Sequence, residues 1–88
     1  MKSIVVGSLE SSDCLITISP HHTLEIVIES PVYQSFGKQI ESVIQNILNA
    51  FSLTHVKVYC QDKGALDYTI EARLITAIER FKEAENES

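Results

Sequence analysis

Cys14-Leu15-Ile16-Thr17-Ile18-Ser19 and, after Pro20-His21-His22-Thr23, Leu24-Glu25-Ile26-Val27-Ile28-Glu29 are the stretches that decide the fold. Cys14, Ile16 and Ile18 share one face of the first run, and Leu24, Ile26 and Ile28 share one face of the second. Successive side chains on a strand point to opposite faces, so each run reads as a half-buried strand. Pro20-His21-His22 supplies a turn, and so short a link predicts an antiparallel hairpin.

Ser30-Pro31 follows as a helix start, with a hydroxyl to cap bare N–H groups and Pro at the first helical position. Phe36, Ile40, Val43, Ile44, Ile47 and Phe51 then recur at helical spacing and predict one apolar stripe running to about Phe51. Gly37 inside that helix costs roughly 1 kcal/mol against Ala, which points to a close helix–sheet contact there. Val56-Lys57-Val58-Tyr59-Cys60 is a third strand with Val56, Val58 and Cys60 inward, and Asp62-Lys63-Gly64 is a turn. Asp67 is placed to cap a second helix, whose stripe is Ile70, Leu74, Ala77, Ile78 and Phe81.

The expected fold is therefore α+β: a single small domain over residues 1–88, in ββαβα order. A three-stranded mixed sheet has one face to hide, and two amphipathic helices pack on it. The second and third strands, joined through a helix, run parallel with a right-handed crossover. The first strand is placed between them. Residues 1–10 are expected to be a flexible N-terminal segment, and the acidic tail, residues 83–88, to fray.

Composition narrows the function. A chain of 88 residues buries only about 60–65% of its unfolded surface, which leaves little room for a deep pocket. Twelve acidic against seven basic residues give a net charge of −5, which speaks against nucleic acid as a partner. The apolar run at the N-terminus is too short for a secretory signal, and no stretch approaches the ~18 apolar residues of a membrane span. The expected location is the cytoplasm, where Cys14 and Cys60 stay reduced and pack as core thiols.

Catalytic motifs are scarce. There is no Gly-x-Ser-x-Gly elbow, and nothing in the spacing brings His21, His22 or His55 to a serine. His21-His22 reads as a solvated turn, since adjacent histidines without further ligands rarely hold a metal. Asp62-Lys63-Gly64-Ala65-Leu66-Asp67 lacks the glycines of a phosphate cradle. Gly7-Ser8-Leu9-Glu10-Ser11-Ser12-Asp13 is small, polar and acidic, the character of an exposed loop. Its serines are either incidental or acceptors for a bulky group that another enzyme attaches.

These last two segments, with Phe36-Gly37 and Ala72-Arg73-Leu74 at matching places, resemble the citrate lyase acyl carrier (gamma chain) family from Gly7 to about Arg80. The resemblance implies a non-catalytic carrier, a phosphoprotein whose Ser11, the serine after Leu-Glu, is the covalent attachment point. Ser12, where some members carry Gly, is the neighbouring hydroxyl.

The group so implied is phosphoribosyl-dephospho-CoA. It derives from 2'-(5''-triphosphoribosyl)-3'-dephospho-CoA and is joined to the serine through a phosphodiester. Its thiol would carry acetyl and citryl thioesters during cleavage of citrate to acetate and oxaloacetate in citrate fermentation. The implied partners are the lyase alpha and beta subunits and a prosthetic-group transferase. Two other expectations remain: the carrier of a malonate decarboxylase-type complex, and an unmodified interaction domain.

Overall fold

A computed structural model describes residues 3–86. The elements, in chain order, are β1 (Ile4–Gly7), β2 (Cys14–Pro20), β3 (Glu25–Glu29), α1 (Tyr33–Ala50), β4 (Val56–Asp62) and α2 (Asp67–Asn86). One mixed sheet runs in the order β1-β2-β4-β3. The architecture is α+β, but with four strands in βββαβα order, and this corrects the expected three-stranded ββαβα arrangement.

The missing strand was β1. It occupies part of the stretch read as a loose leader and pairs antiparallel with β2, from Ile4 opposite Ile18 to Gly7 opposite Leu15. Only Val6 on it is buried, so it carries almost none of the alternation that announces a strand.

The expected hairpin does not form either. β4 lies between β2 and β3, antiparallel to β2 along its whole length and parallel to β3. The expected parallel relation of β3 and β4 therefore stands, while the central place belongs to β4 rather than to β2. Distance explains how a short link permits this. Residues 21–24 can span about 13 Å when extended, and stepping over one strand takes about 10 Å. The link crosses the start of β4, where the His21 N–H donates to the His55 carbonyl at 3.0 Å. Burial decides which strand goes inside. Alternate residues of β4 are fully sequestered, whereas no residue of β3 is, which suits an edge.

Both helices cover one face. α2 packs over β1 and β2, α1 over β3, and the helices touch each other. Ile16, Ile18, Ile44, Leu48, Val58, Ile70, Leu74 and Ile78 are completely buried between the layers. Each such side chain contributes roughly 1.5–3 kcal/mol of hydrophobic stabilisation. The inward set of the second helix is the one its periodicity predicts: Ile70, Leu74, Ala77, Ile78 and Phe81.

Helix α1 departs from expectation at its start. Ser30 and Pro31 stand before the helix, and Val32 is the flanking residue, with no side-chain cap. The Ser30 hydroxyl instead accepts from the Val32 N–H at 3.2 Å and donates to Asp62 Oδ2 at 2.7 Å. Phe36 is half exposed rather than part of the buried stripe. Gly37 is buried, and what leaves no room for a side chain there is Tyr33 of its own helix: a Cβ would lie 2.6 Å from the Tyr33 ring.

The helix ends in a Schellman motif. Leu53 N–H donates to the Leu48 carbonyl and Ser52 N–H to that of Asn49, both at 3.0 Å. Ser52 holds φ at 56°, a conformation usually given to glycine.

At the other helix, Thr69 and Ile70 N–H groups donate to the Leu66 carbonyl, so Leu66 flanks α2 and Asp67 is its first residue. The Asp67 carboxylate does not cap; it accepts from Gln39 Nε2 at 3.0 and 3.2 Å. Helix α2 continues to Asn86, and Glu87 and Ser88, the end of the expected frayed tail, lie outside the described residues.

Candidate attachment loop

Residues 8–13 connect β1 to β2, and the loop begins at a position only glycine tolerates. Gly7 has φ of 108°, and a Cβ there would fall 1.9 Å from the Cys14 carbonyl oxygen. Beyond it the Ser8 N–H reaches that carbonyl at 3.2 Å. Asp13 N–H donates to the Glu10 carbonyl at 3.1 Å, which closes a four-residue turn. Within it, Ser12 alone takes positive φ, 67°, as the third position of a type II turn demands. Ser11 is the second position, at the tip. It is exposed, and among the described residues its hydroxyl has no hydrogen-bond partner.

Asp13 organises the base of the loop. Oδ1 accepts from the Cys14 N–H at 2.7 Å and from Arg73 Nε at 3.0 Å. Oδ2 accepts from the Ser8 hydroxyl at 2.7 Å and Arg73 Nη2 at 3.2 Å. The bonds from the Arg73 guanidinium, then that from Ser8, then the Cys14 N–H hold the Asp13 carboxyl well below the usual carboxylate range. Arg73 is raised in turn by its bond to Asp13. Ser8 completes the clasp by accepting from the Glu10 N–H at 3.2 Å.

The two segments singled out in the sequence meet here. Ser12 N–H donates to the Lys63 carbonyl at 2.8 Å, and Lys63 N–H donates to that of Asp13 at 2.9 Å. The β2–β4 pairing thus runs on past Cys14 and Asp62 into both loops. Asp62 itself is buried, with 2% exposure, and is satisfied by Ser30 Oγ and by the N–H groups of Gly64 and Ala65. Its burial was missed, although it continues the inward spacing of Val56, Val58 and Cys60. The role of Arg73 was also missed, and spacing offers no signal for a contact sixty positions away.

The other candidates lie apart from Ser11. His21, His22 and His55 sit at the far end of β2, roughly 20 Å away along seven residues of strand. His21 pairs with Glu25 at 3.2 Å, and His55 meets Thr54 at 2.9 Å. Among the described residues no cluster of His, Cys, Asp and Glu could hold a metal ion, and no helix is long and apolar enough to cross a membrane. Cys14 and Cys60 are fully buried neighbours on the inner face of the sheet. The nearby Cys14 thiol, and then burial, push the Cys60 thiol up.

The site is thus an exposed serine at the tip of a loop whose base is clamped by Asp13 and Arg73. Residues 1–81 match the acyl carrier family model described as malonate decarboxylase delta subunit (MdcD). A citrate lyase acyl carrier protein of Treponema denticola is 43% identical over 82 residues, covering 93% of this chain and 94% of the relative. One of Latilactobacillus sakei is 51% identical over 75 residues, 84% of this chain and 74% of the relative. A third, from Halothermothrix orenii, is 39% identical over 82 residues, 92% and 87% of the two chains. No solved structure matches. The chain belongs to the citrate lyase acyl carrier protein family.

Proposed function

We propose that this chain is the acyl carrier subunit of citrate lyase, without catalytic groups of its own, and that Ser11 bears its covalent prosthetic group. The observation that carries the assignment is the position of Ser11: an exposed hydroxyl at the tip of a turn whose base is held by Asp13 and Arg73. Ser12 is less suited, because its amide is bonded to Lys63 and its φ is fixed in the positive region.

The loop fits a phosphodiester-linked group. The tip is exposed, Ser12 beside it is small, and among the described residues the Ser11 hydroxyl has no hydrogen-bond partner. Ser11 would hold phosphoribosyl-dephospho-CoA, which supplies a thiol able to carry an acyl group as a thioester. Ser11 Oγ is a passive acceptor whose hydroxyl bonds to no carboxylate or histidine among the described residues, so a transferase would remove its proton. The clamped loop base then fixes the origin of the tether. A fixed origin raises the effective concentration of the carried group at the alpha and beta subunits during cleavage of citrate to acetate and oxaloacetate.

The relatives reported above carry the citrate lyase name, and this favours that complex over a malonate decarboxylase, the enzyme named in the family description. The intact mass of the chain purified from citrate-fermenting cells tests the assignment. The expected result is an increment equal to the prosthetic group, lost in Ser11→Ala and kept in Ser12→Ala. A native mass equal to the bare polypeptide overturns the carrier reading. Loss of the increment in Ser12→Ala alone moves the attachment by one residue.

A further inference from the structure

At the loop end of the sheet, between the N-terminal ends of α1 and α2, lies an apolar groove of about 600 Å3. Small-molecule sites typically occupy about 300–1,000 Å3. Val32, Phe36 and Ile40 form one wall, and Leu66 and Tyr68 the other. Side chains that a core would normally hide are bare here: Phe36 is 50% exposed, Leu66 60% and Tyr68 69%. Two aromatic rings with aliphatic neighbours suit a flat ring, which they can stack against. Gln39 and Asp67 line the same groove. Gln39 Nε2 bonds the Asp67 carboxylate, so the acceptors along the groove are the Gln39 and Asp67 oxygens and the Tyr68 hydroxyl, which can also donate. A flat apolar ring bearing an N–H2 donor matches that set.

The groove is continuous with the attachment loop. Lys63, bonded through its own backbone to Ser12 and Asp13, is followed directly by Gly64, Ala65 and Leu66, which line the groove. Lys63 is exposed and places one positive charge between the two.

We propose that this groove seats the adenine ring of the group carried on Ser11. The inference rests on the function proposed above. In a 2'-(5''-phosphoribosyl)-dephospho-CoA esterified to Ser11, one phosphate and two sugars separate the base from the hydroxyl, whereas the thiol stands at the opposite end. The base is thus far closer to the point of attachment than the thiol is. With adenine seated, the proximal half of the tether is pinned and only the pantetheine segment swings. The volume searched by the thiol shrinks, and its effective concentration at a docked subunit rises. The groove offers no cluster of cations, so it holds the base and leaves the phosphates in solvent.

Nuclear Overhauser effects in the full-length chain, loaded on Ser11 by its transferase and verified by intact mass, test this. The expected result is cross-peaks from adenine H2 and H8 to the Leu66 methyls and to the rings of Phe36 and Tyr68, with shifted amides at residues 64–68. Leu66→Lys, at an exposed position, should abolish the cross-peaks while the mass increment remains. Three results overturn the proposal with the carrier reading intact. In the first, shifts in the loaded chain are confined to residues 8–13. In the second, groove signals move only when other lyase subunits are added, which gives the groove to a partner. In the third, they respond only to chain concentration, which gives it to a second copy. A chain that gains no mass under the native transferase sinks the carrier reading and this proposal together.

Discussion

Arg73, on the second helix, grips both carboxylate oxygens of Asp13, with Nε 3.0 Å from Oδ1 and Nη2 3.2 Å from Oδ2. A helix facing the sheet thereby fixes the base of a loop on the sheet's rim. Two parallel charge-assisted bonds set an angle as well as a distance, which a single ammonium cannot do. Arg73→Leu should leave the circular dichroism spectrum near wild type. Amide exchange at Ser12 and Asp13 should accelerate roughly tenfold, and loading of Ser11 should slow. Unchanged exchange at those two amides would show that the clamp does not order the loop.

The same clamp sets a pH dependence. Asp13 titrates well below its ordinary value because the folded state donates hydrogen bonds to the ionised form. A depressed folded value means that the ionised carboxylate favours the folded loop at pH above the unfolded value, about 4. That preference declines progressively as pH falls from about 4 towards the folded value, below which it is gone. The Cys14 amide shift should therefore stay flat through pH 4 and move only at stronger acidity. A midpoint near 4 would contradict the geometry.

Asp62 offers a stability test at the core end of the neighbouring turn. Its buried carboxylate satisfies the Ser30 hydroxyl and the Gly64 and Ala65 N–H groups. Asp62→Ala leaves those donors bare and should destabilise the fold by roughly 2–4 kcal/mol. Thermal melting should register this as a fall of about 10–25 °C. A loss under about 1 kcal/mol would mean that water replaces the carboxylate at little cost.

At the far end of the first helix, Ser52 occupies a conformation that costs an L-residue roughly 1–2 kcal/mol. Ser52→Gly relieves this at the expense of a floppier unfolded chain. A net gain of about 0.5 kcal/mol is expected, seen as a rise of a few degrees in Tm. A lower Tm would mean that the chain-entropy cost outweighs the relief.

Much of the fold was legible because burial writes itself into spacing. The alternation of Cys14, Ile16 and Ile18, that of Val56, Val58 and Cys60, and the stripe from Ile70 to Phe81 all face the core as their periods require. Strand order was not legible. Periodicity tells which face of a strand is buried, and nothing about which neighbour lies beside it, so the insertion of β4 between β2 and β3 left no mark in either run. β1 escaped because it has only one buried residue. At the candidate site, the exposed character of residues 9–12 could be read directly, whereas Ser8 and Asp13 are half-buried in the clamp, and family resemblance singled out Ser11. The contacts that shape the loop, from Arg73 and Lys63, come from elements distant in sequence and are set only by the assembled sheet and helices.

The central position of β4 bears on how the molecule is born. A chain emerging from the ribosome presents β2 and β3 with an empty slot between them, and no local pairing can fill it. Closure waits for residues 56–62, and the grip on Asp13 waits longer, for residue 73. Non-local closure of this kind slows folding relative to a helical bundle of equal size. Ser11 thus reaches its finished setting only after residue 73, far downstream of it, has been synthesised.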